Sequence, residues 1–359
     1  MEVYGEISGI QYKPLFGSKL KTFSARELTE AMHSKTRFLL EMNDQTTFAI
    51  SRWVSPKRSR SYPHARVYDT LQFAGKRVTI IPIVKDEGIG GDRDFLQWNT
   101  LSLMSLLGVY VIIGYYIDAL RVPGNPHKVT KQQFDIAYLA AQLQQLLYYH
   151  SDPLHWNFKQ VEEIDEVAYR AQRAYAELSK KLKIAFHTSS TEAWEKFLQG
   201  KETFLRSSRD RARIAQQREI QTVQPKEMLS GKRKAALTIT NYLGGTYHFT
   251  CDELIVDDDT LVLVEAKHSR SSILPARDDI KDGLIKMMLY TNLRNLRIGD
   301  LYFQHSQAIL KLTSSHPFTP AKLSRSQRQL LKQLSEEAQQ NNFKVQINDQ
   351  FLDRLYGAF

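Results

Sequence analysis

Two acidic residues and a lysine are spaced along the segment TCDELIVDDDTLVLVEAKH in a way that suits metal-dependent chemistry on phosphate. The triplet Asp257–Asp259 separates two apolar, β-rich runs, and this pattern predicts a β-hairpin. If the loop contains two residues, Asp252 falls directly opposite Glu265, and side chains opposed in this way share one face. Alternation along the second strand places Lys267 on that face as well. The sequence therefore predicts that Asp252, Glu265 and Lys267 converge at one end of the hairpin.

Converging carboxylates repel each other unless a cation lies between them, and a hard cation such as Mg²⁺ prefers oxygen ligands. We therefore expect Asp252 and Glu265 to bind Mg²⁺ or, in its place, Mn²⁺, with the backbone carbonyl of Ala266 as a further ligand. The metal would acidify a bound water and screen the charge that develops on a phosphate. Lys267 would orient or deprotonate that water, or stabilise the pentacovalent phosphate.

A purely structural interpretation of the same segment is a hairpin with a charged tip and a surface Glu–Lys pair. It accounts well for Asp257–Asp259. It accounts less well for Glu265 and Lys267, because they end a dense apolar run, TLVLVEAK, whose other face is fully apolar. Such a run is typical of a central strand, and charges at the end of a central strand favour a functional site.

The segment resembles the motif of the PD-(D/E)XK nuclease superfamily, which includes many restriction endonucleases. Asp252 stands in the place of the motif's aspartate, Glu265 in that of the acidic residue and Lys267 in that of the lysine. From residue 190 the predicted order is helix, strand, strand, strand, helix, strand, which is similar to the αβββαβ mixed-sheet core of that family. The resemblance implies a magnesium-dependent endodeoxyribonuclease that acts on double-stranded DNA, commonly as a homodimer. Cys251 replaces the proline of the family name, at a position that varies widely.

The helix after the motif, predicted over about 276–293, departs from one branch of the family. Some members carry Gln-x-x-x-Tyr there, whereas this chain has the run from Lys286 to Tyr290, KMMLY. Lys286 would then contact a phosphate or, as the favoured interpretation, lie exposed on the helix. A further acidic metal ligand often comes from the first helix of the family's core, and Glu219 and Glu227 are the candidates here.

Other polar residues near the motif have simpler explanations. His248 and His268 flank predicted strands, where histidines are more often packing or surface residues than ligands. Asp278 and Asp279 open the helix after the motif, and the helix dipole stabilises acids at that end.

The rest of the chain predicts two further parts. Residues 1–150 read as an α/β domain with a strand at Lys76–Lys85, a helix at Leu96–Leu107 and a strand at Val109–Tyr116, which we expect to serve in DNA recognition. Residues 151–189 read as a helical connector. Apolar spacing near 3.6 predicts one long helix before it, at Lys131–His150, and one within it, at Phe158–Leu182. The nuclease domain would then span residues 190–359.

The N-terminal part also contains a weak second copy of the motif's pattern. The run from Val67 to Tyr116 reads as strand, turn, strand, helix, strand, with Asp69 and Lys85 spaced much like Asp252 and Lys267, but Ile83 stands where a glutamate is needed. A decayed nuclease core is one interpretation, and an unrelated α/β module is the favoured one.

The net charge of +10 favours a polyanionic partner, through phosphate contacts that release counterions. Two basic stretches could supply such contacts. The loop Arg52–Arg66 has five Lys/Arg and no acid, with aromatic residues interleaved, and Lys201–Lys234 has ten Lys/Arg against four Asp/Glu. Solvated surface charge is the alternative for both stretches.

The composition of the chain indicates its compartment and argues against a membrane-spanning segment. The single cysteine excludes an intrachain disulfide and a Cys-rich zinc site, which fits a reducing, cytoplasmic setting. The first residues lack a signal-peptide pattern. The uncharged run Thr100–Ile117 is close to membrane-spanning length, but we interpret it as a buried helix and strand with Gly108 as the helix stop.

The favoured function is thus a restriction-type endonuclease. One alternative is a non-catalytic nucleic-acid-binding protein that keeps the fold. Another is a nuclease of repair, recombination or transposition.

Overall fold

The computed structural model describes residues 2–57, 63–187, 234–241 and 246–355. The chain divides into unit 1, formed by Met1–Ser18 with Ala212–Phe359, and unit 2, formed by Lys19–Arg211. Whereas the sequence places residues 1–150 in one domain, the structure groups the first strand with the C-terminal half. The protein is a mixed α/β protein with several mixed sheets.

The strands of the described residues are numbered in chain order. They span Glu2–Ile7 (β1), Thr22–Ser24 (β2), Arg37–Glu41 (β3), Thr47–Arg52 (β4), Lys76–Pro82 (β5), Val84–Asp86 (β6), Arg93–Phe95 (β7), Tyr110–Gly114 (β8), Tyr116–Val122 (β9), Asn125–Phe134 (β10), Ala235–Asn241 (β11), Thr246–Cys251 (β12), Glu253–Asp257 (β13), Thr260–Ser269 (β14), Arg294–Ile298 (β15), Leu301–Phe303 (β16), His305–Ser314 (β17), Lys344–Ile347 (β18) and Gln350–Phe351 (β19).

The α-helices of the described residues lie mostly where apolar spacing near 3.6 predicts them. They span Leu28–Ser34 (α1), Pro63–Thr70 (α2), Trp98–Leu106 (α3), Ile136–Leu147 (α4), Pro153–Glu162 (α5), Ile164–Leu182 (α6), Arg277–Tyr290 (α7) and Arg325–Gln340 (α8). Ser324 caps α8 by accepting a hydrogen bond from the backbone N–H of Gln327, as its position before the helix predicts.

Unit 1 contains two five-stranded mixed sheets. The first has the order β12-β11-β1-β15-β16, with β1 parallel to β11. The second has the order β13-β14-β17-β18-β19, with β14 antiparallel to β13 and parallel to β17. Helix α7 packs against β14 and β17. Leu263 of β14, Leu284 of α7 and Leu310 of β17 are fully buried, and β14 and α7 carry most of the site described below.

The first of the two β-rich runs beside Asp257–Asp259, which the sequence predicts as one strand over residues 247–256, is two strands that belong to different sheets. β12 pairs with β11 in the first sheet, and β13 pairs with β14 in the second. The chain bends between them at Asp252. The predicted αβββαβ strands are therefore shared between two sheets and do not form one core sheet.

Unit 2 contains a five-stranded mixed sheet with the order β2-β3-β4-β5-β8. Its centre is apolar, since Ile50, Val78 and Ile112 from three adjacent strands are fully buried and pack with residues of α1, α4 and α5. The strand predicted from residue 76 and the helix and strand predicted after it correspond to β5, α3 and β8. Gly108 follows α3 with φ +67°, the left-handed conformation expected of a helix stop.

Three predictions for unit 2 are wrong in part. Residues 131–134 belong to β10 and not to a helix: they lie in the antiparallel ribbon β9–β10, and α4 begins only at Ile136. The helical pattern at 158–182 is broken at Glu163 into α5 and α6. Asp69 lies on α2 rather than on a strand and forms a 2.6 Å ion pair with Arg37, so the first strand of the proposed decayed copy does not exist.

The uncharged run 100–117 folds as part of α3, all of β8 and the start of β9. Across the described ranges, no helix is both long enough and apolar enough to cross a membrane. The helix expected over 190–221, the candidates Glu219 and Glu227, and the basic stretch 201–233 lie outside the described residues, as do residues 58–62 of the basic loop.

Candidate active site

The hairpin has the register that the sequence predicts. Asp257 pairs with Thr260 and Glu253 pairs with Val264, so the next position places Asp252 opposite Glu265. The backbone N–H of Asp252 donates to the carbonyl of Val264 at 3.1 Å. This bond extends the pairing by one residue before the start of β13. The two carboxylates therefore lie at the same end of the hairpin.

Asp252 is oriented by the bend between β12 and β13. Its Oδ2 accepts a hydrogen bond from the backbone N–H of Ala266 at 2.8 Å. Because the N–H and C=O of one strand residue point to the same edge, the Ala266 carbonyl lies on the edge of β14 that the Asp252 carboxylate occupies. Oxygen atoms of Asp252, Glu265 and Ala266 thus lie in the region where β13 begins.

Glu265 is buried, with 3% of its surface exposed, and two lysines bind its carboxylate. Oε1 accepts from Nζ of Lys267 at 2.8 Å, and Oε2 accepts from Nζ of Lys286 at 3.1 Å. Burial of a carboxylate is costly unless it is paired and hydrogen-bonded, and these two bonds meet that requirement.

Lys286 does not lie exposed on the helix, so the favoured prediction for this residue is wrong. Only 4% of the residue is exposed, and its Nζ also donates to the carbonyl of Thr250 at 2.6 Å. Tyr290, one turn later, is fully buried and its hydroxyl donates to the same carbonyl at 3.4 Å. The face of α7 that carries Lys286 and Tyr290 therefore holds the end of β12 next to the bend at Asp252.

Asp282 is a site residue that the sequence analysis missed. It lies on α7, is 2% exposed, and its Oδ2 accepts from Nζ of Lys267 at 2.8 Å. Positions 282, 286 and 290 are spaced by four and so share one helix face, which is the signal that could have indicated it. Lys267 is thus held between carboxylates from a strand and from a helix.

Gly283 allows α7 to lie close to this lysine. A Cβ atom added there would come within 2.6 Å of Cδ1 of Leu310 and 3.3 Å of Cε of Lys267. A Cβ atom at this position would require the Leu310 side chain or the helix to shift. No local sequence pattern singles out this glycine.

The site has more carboxylates than ammonium groups, so its formal net charge is negative. Three carboxylates, on Asp252, Glu265 and Asp282, face two ammonium groups, on Lys267 and Lys286. Burial, followed by the charge of Glu265, raises the pKa of Asp252 from 3.8 to about 6, although Lys286 and the Ala266 N–H act in the opposite direction. The region around Asp252 is therefore one in which an added cation is stabilised.

The donor set fits a hard divalent cation of the Mg²⁺ class, which is commonly bound through one or two carboxylates and several waters. Asp252, Glu265 and the Ala266 carbonyl would hold it. Within the described part of the chain, no group of three or more His, Cys, Asp or Glu side chains is arranged to hold a metal. Both oxygens of Glu265 are bound to lysines, so a cation that uses Glu265 must share or replace one of those bonds.

The other candidate residues near the motif have structural partners. His248 contacts the Thr238 hydroxyl at 3.3 Å, and His268 contacts the hydroxyls of Thr313 and Ser315 at 2.9 and 3.2 Å. Asp278, in the first turn of α7, forms a 3.4 Å ion pair with Lys281.

Cys251 precedes Asp252 and is completely buried. Its Sγ donates to the carbonyl of Glu253 at 2.9 Å. Burial raises the pKa of this thiol to about 12. The residue is therefore a neutral packing group at the bend and not a nucleophile.

Comparison of the chain with protein-family models, with curated proteins and with solved structures found no match. The resemblance to the PD-(D/E)XK superfamily therefore rests on the motif residues of the hairpin, Asp252, Glu265 and Lys267.

Proposed function

We propose that unit 1 is a metal-dependent endodeoxyribonuclease that hydrolyses phosphodiester bonds, with Asp252, Glu265 and Lys267 as its catalytic residues. Asp252, Glu265 and the carbonyl of Ala266 bind Mg²⁺, and Mn²⁺ can take its place. The observation that carries the proposal is the convergence of Asp252 and Glu265 across the hairpin, with Lys267 bonded to Glu265 at 2.8 Å.

The metal, when bound, supplies an acidified water and screens the charge of the phosphate. The residues of the chain then have separate tasks. Lys267 holds its ammonium beside the carboxylates of Asp252 and Glu265, the proposed metal ligands. There it would orient the attacking water or neutralise the phosphate oxygens. Asp282 fixes the position of that ammonium from α7. Lys286 holds Glu265 on the opposite side, which limits the rotamers available to the carboxylate.

Double-stranded DNA is the proposed substrate, and a restriction-type role in the cytoplasm is the proposed setting. The excess of ten positive charges supports a polyanionic partner. We expect the chain to act as a homodimer, because one site of this kind cuts one strand and a double-strand break needs two. Unit 2 would then contribute DNA recognition.

The test is cleavage of supercoiled plasmids of varied sequence by the full chain in Mg²⁺, in Mn²⁺ and in EDTA. The Lys267→Ala variant removes the ammonium, and Lys332→Ala, on the exposed face of α8, is the matched control. Cleavage by wild type and by Lys332→Ala, with loss in Lys267→Ala and in EDTA, supports the proposal. No cleavage of any substrate, or equal cleavage by all three proteins, refutes it.

A non-catalytic nucleic-acid-binding protein is the second candidate, and the two lysines bound to Glu265 favour it. If those bonds persist in solution in the presence of Mg²⁺, Glu265 is not free to bind a metal. DNA binding that falls steeply with salt, is unaffected by Mg²⁺ and is not followed by cleavage would support this candidate. Cleavage without sequence preference would instead favour a nuclease of repair, recombination or transposition.

A further inference from the structure

Unit 2 contains a cleft of about 500 Å³ that the proposed nuclease site does not use. It is bordered by the end of α1, the end of β4, the turn after β6 and the strand β10. Its volume falls in the range of sites that bind small molecules or single nucleotide units. The side chains that line it differ in character from one part of the wall to another.

The positive part of the wall contains a guanidinium for which the described residues provide no acidic partner. Arg52 ends β4 and lines the cleft, and its Nε atom is closed off from solvent. Among the described residues, that atom has no hydrogen-bond acceptor and Arg52 forms no ion pair. Burial lowers the pKa of Arg52. A charge held in this way is stabilised by an anion brought next to it.

The remaining charges of the wall do not compensate Arg52. Glu87 is the acidic residue that lines the cleft, but its Oε1 binds Lys85 at 2.6 Å and its Oε2 binds Lys128 at 2.9 Å. Lys131, which is exposed on β10, adds a further positive charge to the wall. The cleft therefore has an excess of positive charge and accepts an anionic group.

The rest of the wall has an apolar part and a polar part, and the polar part contains His33, Thr130 and Gln133. Met32, Val54 and Phe134 supply the apolar part of the wall. Gln132 is held with its amide nitrogen donating to the Asp86 carbonyl and to the Tyr175 hydroxyl, so its Oε1 is left as an acceptor. Among the described residues no donor bonds to that oxygen, but it is closed off from solvent and does not face the cleft as an accessible acceptor.

We infer that this cleft binds a nucleotide unit, with the phosphate next to Arg52 and Lys131, the base against the apolar part of the wall and the polar edge of the base next to His33, Thr130 and Gln133. An anion, a flat ring face and a polar ring edge occur together in nucleotides, and the three parts of the wall match these groups. The nucleotide comes either from a free nucleotide or from a nucleic-acid strand. The inference is independent of nuclease activity, because it concerns unit 2 alone.

The test is isothermal titration calorimetry of the full chain in EDTA, so that cleavage plays no part. The probes are the four deoxynucleoside 5′-monophosphates, inorganic phosphate and single-stranded oligonucleotides of about 12 residues, a length within reach of ordinary single-strand binding sites. Arg52→Gln and Lys131→Gln remove positive charge from the wall. Lys180→Gln, on the exposed face of α6, removes an equal charge elsewhere.

We expect a nucleotide probe to bind at least about tenfold more tightly than inorganic phosphate, and Arg52→Gln to weaken it about tenfold. Lys180→Gln should bind as wild type does. Binding of monophosphates identifies a free nucleotide as a ligand, whereas binding of the oligonucleotide alone identifies a strand. Since Lys131 is exposed, Lys131→Gln gives a result even if Arg52→Gln does not fold. The inference is overturned if no nucleotide probe binds, if phosphate binds equally well, or if no wall variant that folds weakens binding.

Discussion

Nζ of Lys286 lies 3.1 Å from Oε2 of Glu265 and 2.6 Å from the carbonyl oxygen of Thr250. One buried ammonium thus connects α7 to the central strand β14 and to the last residues of β12. This relationship joins the two sheets of unit 1 at the point where Asp252 turns the chain from one to the other. The position of Asp252 relative to Glu265 therefore depends on Lys286 as well as on the hairpin.

Replacing Lys286 should destabilise the fold, because it leaves a buried carboxylate with one lysine and a buried carbonyl without its closest donor. For Lys286→Met we expect a loss of about 3–5 kcal/mol in the free energy of unfolding, as for other broken buried ion pairs. Lys286→Gln keeps a donor for the Thr250 carbonyl and should lose less. Urea denaturation followed by circular dichroism measures both, with Lys332→Met on the surface of α8 as the control. Equal midpoints for Lys286→Met and wild type would show that the buried bonds contribute nothing.

Asp282 should affect the rate of DNA cleavage rather than the affinity for DNA, because it touches Lys267 and not the substrate. Asp282→Asn keeps the shape of the side chain but weakens its hold on the ammonium. We expect kcat to fall by about 10–100-fold with little change in KM, as for other groups that position a catalytic residue. Steady-state cleavage assays measure this.

The control for Asp282 is Asp278→Asn, which changes a more exposed acid one turn earlier on α7 and should cleave at the wild-type rate. A rise in KM with unchanged kcat in Asp282→Asn would contradict a positioning role. Full activity in that variant would show that the bond between Asp282 and Lys267 is not needed.

The part of the site that could be predicted from the sequence is the part made by neighbours in the chain. The hairpin loop is short and the apolar runs alternate cleanly, so the register that opposes Asp252 and Glu265 follows from local rules. The contribution of α7 could not be predicted in this way. A buried lysine and an exposed lysine look the same in sequence, and only the packing of α7 on β14 distinguishes them.

Two features of the fold also could not be predicted from local sequence patterns. β1 pairs with β11 in parallel, with Val3 opposite Leu237, and no local pattern indicates a partner so far along the chain. The bend at Asp252 was also missed, because no glycine or proline interrupts the apolar run there. Both features depend on long-range packing, which decides which strands share a sheet.

Asp252 should make the stability of the metal-free protein fall as the pH rises. Its folded pKa of about 6 lies above the ordinary value of 3.8, so between these values the folded state binds more protons than the unfolded state. The contribution is therefore favourable at low pH and is lost as the pH passes through about 6, by at most about 3 kcal/mol for a shift of this size. Urea denaturation of wild type and Asp252→Asn at a series of pH values measures the difference.

The Asp252→Asn variant has no carboxylate to ionise and should lack this component of the pH dependence, so it should be the more stable protein at about pH 8. Added Mg²⁺ should raise the stability of wild type there and leave the variant unchanged, because the metal binds the ionised carboxylate. If both proteins respond equally to pH and to Mg²⁺, Asp252 neither carries a raised pKa nor binds the metal.

Cys251 should resist thiol reagents as long as the bend at Asp252 is intact. Burial raises its pKa to about 12, so almost no thiolate is present at about pH 8, and the side chain is also inaccessible. Because it is the only cysteine, labelling by iodoacetamide reports on this one position. We expect labelling of the native chain to be slower than in denaturant by a factor set by the stability of unit 1, and to speed up in Lys286→Met in proportion to the stability that variant loses. Rapid labelling of the native wild-type chain would mean that the end of β12 is open to solvent, and the arrangement of Asp252, Glu265 and Lys286 would then have to be revised.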